Sequence, residues 1–249
     1  MRNINLSPMD AERFGVVTAK CTVESAADLA GIEDWCDERG VDFVIARVGT
    51  DDLRTVQQME DRGFRLMDTL VYFRRAFDER PLAPPQLPAS YRVADDTRPT
   101  PEEMAEVARL SFSAYGGHYH ADDRLAPEAA DQVYVSWAAR SAESPQVAQE
   151  IVTIRHTAAG GAGTLVAFAT LNDADGDSEG VLFAVHPDHQ GKGLHRALIQ
   201  ASLLNAHRRG CRGFFSSTQL NNRPVQRNWA REGLIPSHSY YTFHQWRGL

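Results

Sequence analysis

Residues Val181–Leu198 read VLFAVHPDHQGKGLHRAL, and this stretch decides the fold. Its apolar start is a buried strand that closes at His186-Pro187. A short turn follows, and Gln190-Gly191-Lys192-Gly193 opens an amphipathic helix. A helix N-terminus offers unpaired backbone N–H groups and the positive end of its dipole. Gly191 and Gly193 carry no Cβ, so an anion can approach the main chain closely. Lys192 and Arg196 add positive charge at the same entrance. The shape suits a diphosphate. It is not a P-loop, because G-x-x-x-x-G-K-[ST] is absent, and it lacks the G-x-G-x-x-G of a dinucleotide fold. Pro187 cannot donate to a ladder and can help splay the strand from its neighbour.

On either side of this stretch, strands and helices alternate. Before it, Tyr91–Ala94 opens as a strand, and helices are expected at Pro101–Phe112 and Pro127–Ser141. Strands follow at Glu150–His156, Thr164–Asn172 and Glu179–His186, with a glycine-rich loop inside Thr157–Asn172. The helix should run from about Gly191 to Arg209, closed by Gly210. After it come strand Gly213–Thr218, helix Asn222–Glu232 and a last strand near Ser237–Trp246. The N-terminal part reads as a β-rich Gly15–Val23, then a helix over Ala26–Arg39 with Leu29, Ile32, Trp35 and Cys36 at helical spacing. Strand Val41–Val48, helix Asp51–Arg62 and long strand Phe64–Phe77 complete it. The class is mixed α/β.

Between the two parts, Asp78–Ser90 holds four of the twelve prolines and reads as a semi-rigid linker. The expected organisation is therefore a unit over 1–77, a linker over 78–90 and a larger domain over 91–249. Val41–Ala76 also lies over Cys211–Trp246 without a gap, at an offset of 170 residues. Gly63 falls on Gly233, Phe64 on Leu234, Asp52 on Asn222, Val44 on Phe214 and Phe73 on Phe243. Two unrelated αβ patterns could coincide in this way; so could a duplicated half-domain whose first copy lacks the glycine-rich turn.

Composition narrows the setting. The chain has 249 residues, 43% hydrophobic and 24% charged, enough for a core without staples. A net charge of −7 and scattered basic residues argue against nucleic acid as a partner. No apolar run is long enough to span a membrane, and Met1-Arg2-Asn3-Ile4 does not begin a signal peptide. Cys21, Cys36 and Cys211 form no C-x-x-C pair, which fits buried thiols in a reducing cytoplasm.

Val185-x-Pro187-x-x-Gln190-Gly191-Lys192-Gly193-Leu194-x-x-x-Leu198 resembles the acetyl-CoA signature of the GNAT superfamily of N-acyltransferases, Q/R-x-x-G-x-G/A. Ser217-Thr218-Gln219-Leu220-Asn221-Asn222 and the strand–helix–Gly233-Leu234–strand ending resemble it too, so the likeness covers about 160 residues. More narrowly, Phe112–Leu125 (FSAYGGHYHADDRL), the helix with Trp137 and the diverged N-terminal half resemble TDP-fucosamine acetyltransferase-like proteins. Those acetylate the 4-amino group of a nucleotide-linked 4-amino-4,6-dideoxyhexose.

The resemblance implies a GNAT-like fold with a diverged N-terminal half-GNAT unit, acetyl-CoA as cosubstrate and direct transfer in a ternary complex. Cofactor contacts fall on Phe183, Ala184, Val185, Gln190, Gly191, Lys192, Gly193, Leu194, His195, Arg196 and Asn222. A splayed strand pair would hold the pantetheine arm, and the Val185 amide would bond the thioester carbonyl. Strand alternation puts Glu179 on the face of Val181, Phe183 and Val185. In several family members a carboxylate there is the general base, while its other reading is a solvated strand-entry charge. Two residues depart from the pattern. His195 stands where Gly or Ala is usual, and Trp229 stands where many members carry the tyrosine that protonates the leaving thiolate. Tyr240 or Tyr241 could take over that role. Tyr119, His120 and Asp122 are the expected acceptor contacts, and no metal is expected. Small-molecule amines, no nucleic acid, no membrane and a possible homodimer complete the expected partners.

Overall fold

The computed structural model describes residues 3–77, 81–94, 98–113, 115–157 and 163–248. Residues 78–80 of the expected linker and 158–162 of the glycine-rich loop lie outside them. In chain order the first elements are β1 (Ile4–Leu6), α1 (Pro8–Phe14), β2 (Thr18–Val23), α2 (Asp28–Asp37), β3 (Phe43–Gly49), α3 (Leu53–Asp61) and β4 (Arg65–Ala76). Next come β5 (Tyr91–Ala94), α4 (Pro101–Ser111), α5 (Pro127–Glu143), β6 (Glu150–His156), β7 (Thr164–Ala174) and β8 (Asp177–Val185). The last are α6 (Leu194–Arg208), β9 (Gly213–Gln219), α7 (Arg223–Arg231) and β10 (Ile235–Trp246).

The chain forms two compact units. The first is Met1–Val71 with Gly116–Ala130 and His238–Leu249; the second is Tyr72–Tyr115 with Asp131–Ser237. The units thus cut the chain elsewhere than at the proline-rich segment, because two distant segments join the N-terminal residues.

In the first unit the strands run in the order β1-β2-β3-β10. β2 and β3 are parallel, with Ala19 opposite Val44, and β10 is antiparallel to β3, with Phe243 opposite Ala46. One face of this sheet is apolar: Ala19, Cys21, Val44, Ala46, Val48 and Phe243 pack on Leu29, Ile32 and Cys36 of α2 and on Met59 of α3. Alternation sends Lys20, Arg47, Thr242 and His244 to the other face, together with Phe43, Ile45 and Trp246. β1 and α1 were not anticipated. Seven helical residues, from Pro8 to a left-handed Gly15 at φ 70°, are too few to display an apolar period.

In the second unit the order is β9-β8-β7-β6-β5. β7 is buried at every position from Leu165 to Leu171, so both of its faces are covered, by α4 and by α6. The Thr100 hydroxyl and the Glu103 carboxylate cap the start of α4 reciprocally.

The offset of 170 residues reappears in the elements. The bounds of β3, α3 and β4 shifted by that amount are those of β9, α7 and β10. Individual bonds follow suit. The Phe77 amide donates to the Arg212 carbonyl as the Arg247 amide donates to that of Asp42. The Arg75 side chain donates to the Glu232 carbonyl as the Gln245 side chain donates to that of Arg62. No helix among the described residues is long and apolar enough to cross a membrane.

Candidate active site

β8 and β9 are parallel but barely paired. Ser178 faces Phe214, Glu179 faces Phe215 and Gly180 faces Ser216, and there the ladder stops. β8 nevertheless continues to Val185 and β9 to Gln219, so the two strands diverge into an open cleft. The cause lies at Gly180 and Val181. A register shift on the β7 side leaves Val181 without a partner, and the Leu182 amide bonds the Thr170 hydroxyl at 3.1 Å in place of a ladder carbonyl. A Cβ on Gly180 would stand 2.5 Å from the Phe214 ring. Splaying therefore starts well before Pro187, and the proline is not its origin.

Burial alternates along β8. Glu179, Val181, Phe183 and Val185 are half-buried, whereas Gly180, Leu182 and Ala184 are buried. Ala184 turns its side chain into the core and leaves only main chain for a ligand. The His186 amide donates to the Val166 carbonyl of β7 at 2.8 Å. Neighbouring amides of a strand point to opposite edges, so the Val185 N–H points away from β7, towards the cleft.

At the open end the chain makes one 3-10 turn over Pro187–His189 and then two left-handed glycines, Gly191 at φ 74° and Gly193 at φ 80°. These angles are not helical, so α6 begins at Leu194 rather than at Gly191. Added Cβ atoms at either glycine would meet nothing within 4 Å, and no side chain caps the helix. The turn is an open cradle of main-chain amides. Leu194 itself is buried as the first anchor of α6, so its amide alone is available. Gln190 reaches back to the Val185 carbonyl at 3.3 Å, and Lys192 Nζ to the Asp188 carbonyl at 2.8 Å.

Two expected charges are used differently. Arg196 donates to the buried Glu232 carboxylate at 2.5 Å, which also accepts from Gln200. Burial lowers the His195 pKa to about 4, so at neutral pH this ring brings no charge to the turn. Its Nδ1 lies 3.2 Å from the Asn228 amide nitrogen, and its ring lies 5.8 Å from that of Phe183. Asn222 holds the N-cap position of α7 without capping it, and its amide donates to the Thr218 hydroxyl at 2.9 Å. Its counterpart Asp52 does cap, accepting from the Thr55 amide at 3.0 Å. Trp229 is 1% exposed against Phe73, and its indole N–H has no hydrogen-bond partner among the described residues. Burial pushes the Cys21 thiol up to about 12, out of reach as a nucleophile.

In the first unit the expected acceptor residues lie over the sheet face that carries Lys20 and His244. Tyr119 is buried; its hydroxyl donates to Asp10 at 3.2 Å and accepts from Lys20 at 3.1 Å. Asp122 is buried as well, accepting from His244 Nδ1 at 2.7 Å, Trp246 Nε1 at 2.9 Å and the Arg124 amide at 3.1 Å. Burial works to raise its pKa, but these donors outweigh it and bring the carboxyl down to about 2. Both side chains are thus committed inside the unit. His120 is half-buried, with Nδ1 3.3 Å from the Gly117 amide. The two tyrosines of β10 separate: Tyr241 packs on the apolar core, and Tyr240 lies on the face of Thr242 and His244. His244, whose Nε2 stands 2.8 Å from His118 Nδ1, was missed in the sequence. Only its alternation with Thr242 and Trp246 marks its face, and nothing local marks its partners.

Residues 118–234 match the Acetyltransferase (GNAT) family. The spore coat polysaccharide biosynthesis protein SpsD of Bacillus subtilis is 27% identical over 147 residues, which cover 59% of this chain. The match spans 48% of SpsD, about half of that relative's length. A GCN5-related N-acetyltransferase from Sphaerobacter thermophilus superposes with a TM-score of 0.68 at 16% identity, covering 98% of this chain and 76% of that one. A tandem GNAT protein from the clavulanic acid biosynthesis pathway gives 0.65 at 16% identity, covering 94% and 77%. The fold is that of GNAT proteins, and the family match covers just under half of the chain.

Proposed function

We propose that the GNAT acetyltransferase domain over residues 118–234 takes acetyl-CoA as cosubstrate and acetylates the amine of a small polar acceptor by direct transfer in a ternary complex. The acceptor we favour is a nucleotide-linked 4-amino-4,6-dideoxy sugar. The observation that carries the reading is the cleft between β8 and β9 that ends on an open glycine turn. A free strand edge and a cradle of amides fit a cosubstrate with an extended arm and a pyrophosphate.

Acetyl-CoA supplies an acetyl group activated as a thioester. The amides of Gly191, Lys192, Gly193, Leu194, His195 and Arg196 would hold the pyrophosphate with the Lys192 charge, and Gln190 steadies the turn through the Val185 carbonyl. Phe183, Ala184 and Asn222 would flank the arm. The Val185 amide would donate to the thioester carbonyl and stabilise negative charge growing there. Glu179, half-buried at the closed end of the cleft, is the base for the proton lost as the amide forms. Of the two tyrosines, Tyr241 packs on the apolar core of the first unit, so Tyr240 is the one we assign to protonate the departing sulfur. Tyr119, His120 and Asp122 are the acceptor contacts that the resemblance of Phe112–Leu125 implies.

The sugar acceptor draws support from the Phe112–Leu125 resemblance and from SpsD, whose name assigns it to polysaccharide biosynthesis. The unpaired cysteines and scattered basic residues suit a cytoplasmic enzyme with a small-molecule partner, alone or as a homodimer. The test is CoA release, read by thiol detection, over a panel of amines that includes amino sugar nucleotides, aminoglycosides and amino acids. Turnover should be fastest with the sugar nucleotides, and Glu179→Gln should lower kcat at neutral pH about 10²-fold. Faster turnover of another amine class would reassign the acceptor. A Glu179→Gln rate within threefold of wild type would remove Glu179 from the mechanism. Thermal stabilisation by acetyl-CoA with no turnover of any amine would replace the enzyme reading with a CoA-binding one.

A further inference from the structure

We propose that the His195 side chain binds the arm of the cosubstrate, donating Nε2–H to an amide carbonyl of that arm, with Asn228 as the positioning residue that fixes this hydrogen. The role rests on the acetyl-CoA reading; the orientation of the ring rests on the geometry of the second unit alone.

Three elements of that unit meet at the ring. β8 and β9 stop pairing after Gly180 and Ser216. Phe183 lies on β8 beyond that point, and its ring centroid stands 5.8 Å from that of His195. Asn228 lies on α7, the helix that follows β9, and its amide nitrogen stands 3.2 Å from His195 Nδ1. His195 is in the first turn of α6, where side chains tilt back towards the helix N-terminus and so towards the glycine turn. The imidazole thus reaches from a residue of one cleft strand to the helix that continues the other. The main-chain amide of His195 belongs to the cradle, whereas the ring is a separate group beside the cleft.

Hydrogen positions follow from the heavy atoms. A side-chain amide nitrogen can only donate, so Nδ1 accepts from Asn228 and is bare. With a pKa of about 4 the ring is neutral at pH 7 and holds a single hydrogen, which then sits on Nε2. That N–H has no acceptor among the described residues. Nor is it sealed in, since His195 is half-buried and Nε2 is not among the buried polar atoms left without a partner. A donor held beside an aromatic ring with no protein acceptor is satisfied by whatever fills the cleft. The arm of acetyl-CoA carries amide carbonyls along its length, and a carbonyl oxygen can only accept. A neutral donor in a fixed tautomer matches that uncharged oxygen.

Calorimetry with two probes tests the contact. His195→Phe keeps a ring against Phe183 and keeps the main-chain amide, but it has no ring N–H. Its acetyl-CoA affinity should fall about 10-fold. Its affinity for adenosine 3′-phosphate 5′-diphosphate, which has the pyrophosphate and no arm, should equal that of wild type. Equal losses for both probes would move the donor to the pyrophosphate and overturn the arm contact; no loss for either overturns any role for the side chain. Nitrogen-15 NMR of the wild-type ring needs no variant. Nε2 should carry the hydrogen, and its signal should shift on adding acetyl-CoA but not on adding the nucleotide without an arm. A hydrogen on Nδ1, or a signal indifferent to acetyl-CoA, overturns the proposal. Asn228→Asp offers only acceptor oxygens and should draw a hydrogen to Nδ1, while an unchanged ring takes Asn228 out of its positioning role. A wild-type chain that binds neither probe overturns the acetyl-CoA reading and this contact with it, whereas wild-type binding with an unaffected His195→Phe overturns this contact alone.

Discussion

His195 shows how burial can change what a residue brings to a site. Beside a glycine turn and Lys192 a histidine invites a reading of positive charge, yet its pKa of about 4 keeps the ring neutral there. The unfolded chain, with an ordinary value of about 6.5, binds the proton first. Between those values the unfolded state therefore carries more protons, and stability falls as pH drops through the window. His195→Ala removes this linkage while keeping the amide. The variant should lose less melting temperature than wild type between pH 7 and pH 5, and parallel losses would contradict the assignment. Neither the neutral ring nor the Arg196–Glu232 pair could be read from the local sequence. Both depend on what packs around the side chain, and the partner of Arg196 comes 36 residues later in the chain, after β9 and α7.

At the scale of elements, periodicity carried most of the reading. β5, β6 and the α3–β4 and α7–β10 pairs fall close to their expected places, because long apolar alternations and terminal glycines mark them. Three features escaped. A helix as short as α1 has no period to show. The bulge at Val181 is a relation between two strands rather than a property of one. Two left-handed glycines delayed α6 by three residues, and these same residues form the cradle. Gly193→Glu places a side chain at φ 80° and a carboxylate in that space. Calorimetry should find acetyl-CoA affinity reduced more than 100-fold, with affinity equal to wild type as the contrary result.

At the scale of the molecule, we interpret the shared offset as a duplicated half-domain. The reading rests on the coincident bounds of six elements and on the paired main-chain bonds at Phe77 and Arg247. The first copy passes from β2 to β3 through a ten-residue α2 and has no equivalent of the glycine turn. Titration should therefore find one acetyl-CoA per chain, and two would show that the first copy kept a cradle. The repeat was visible in the sequence because it is gapless. The His118–His244 contact was not, since 126 residues separate its partners.

The first unit contains Met1–Val71 but also His238–Leu249, and β3 finds its antiparallel neighbour in β10. A ribosome delivers the chain from its N-terminus, so β3 emerges long before the strand that completes its sheet. Until then its edge is bare, and an exposed edge invites pairing with other nascent chains. Folding of this unit is thus deferred until β10 has been made, and the same late strand brings in the histidine that joins His118 to Asp122.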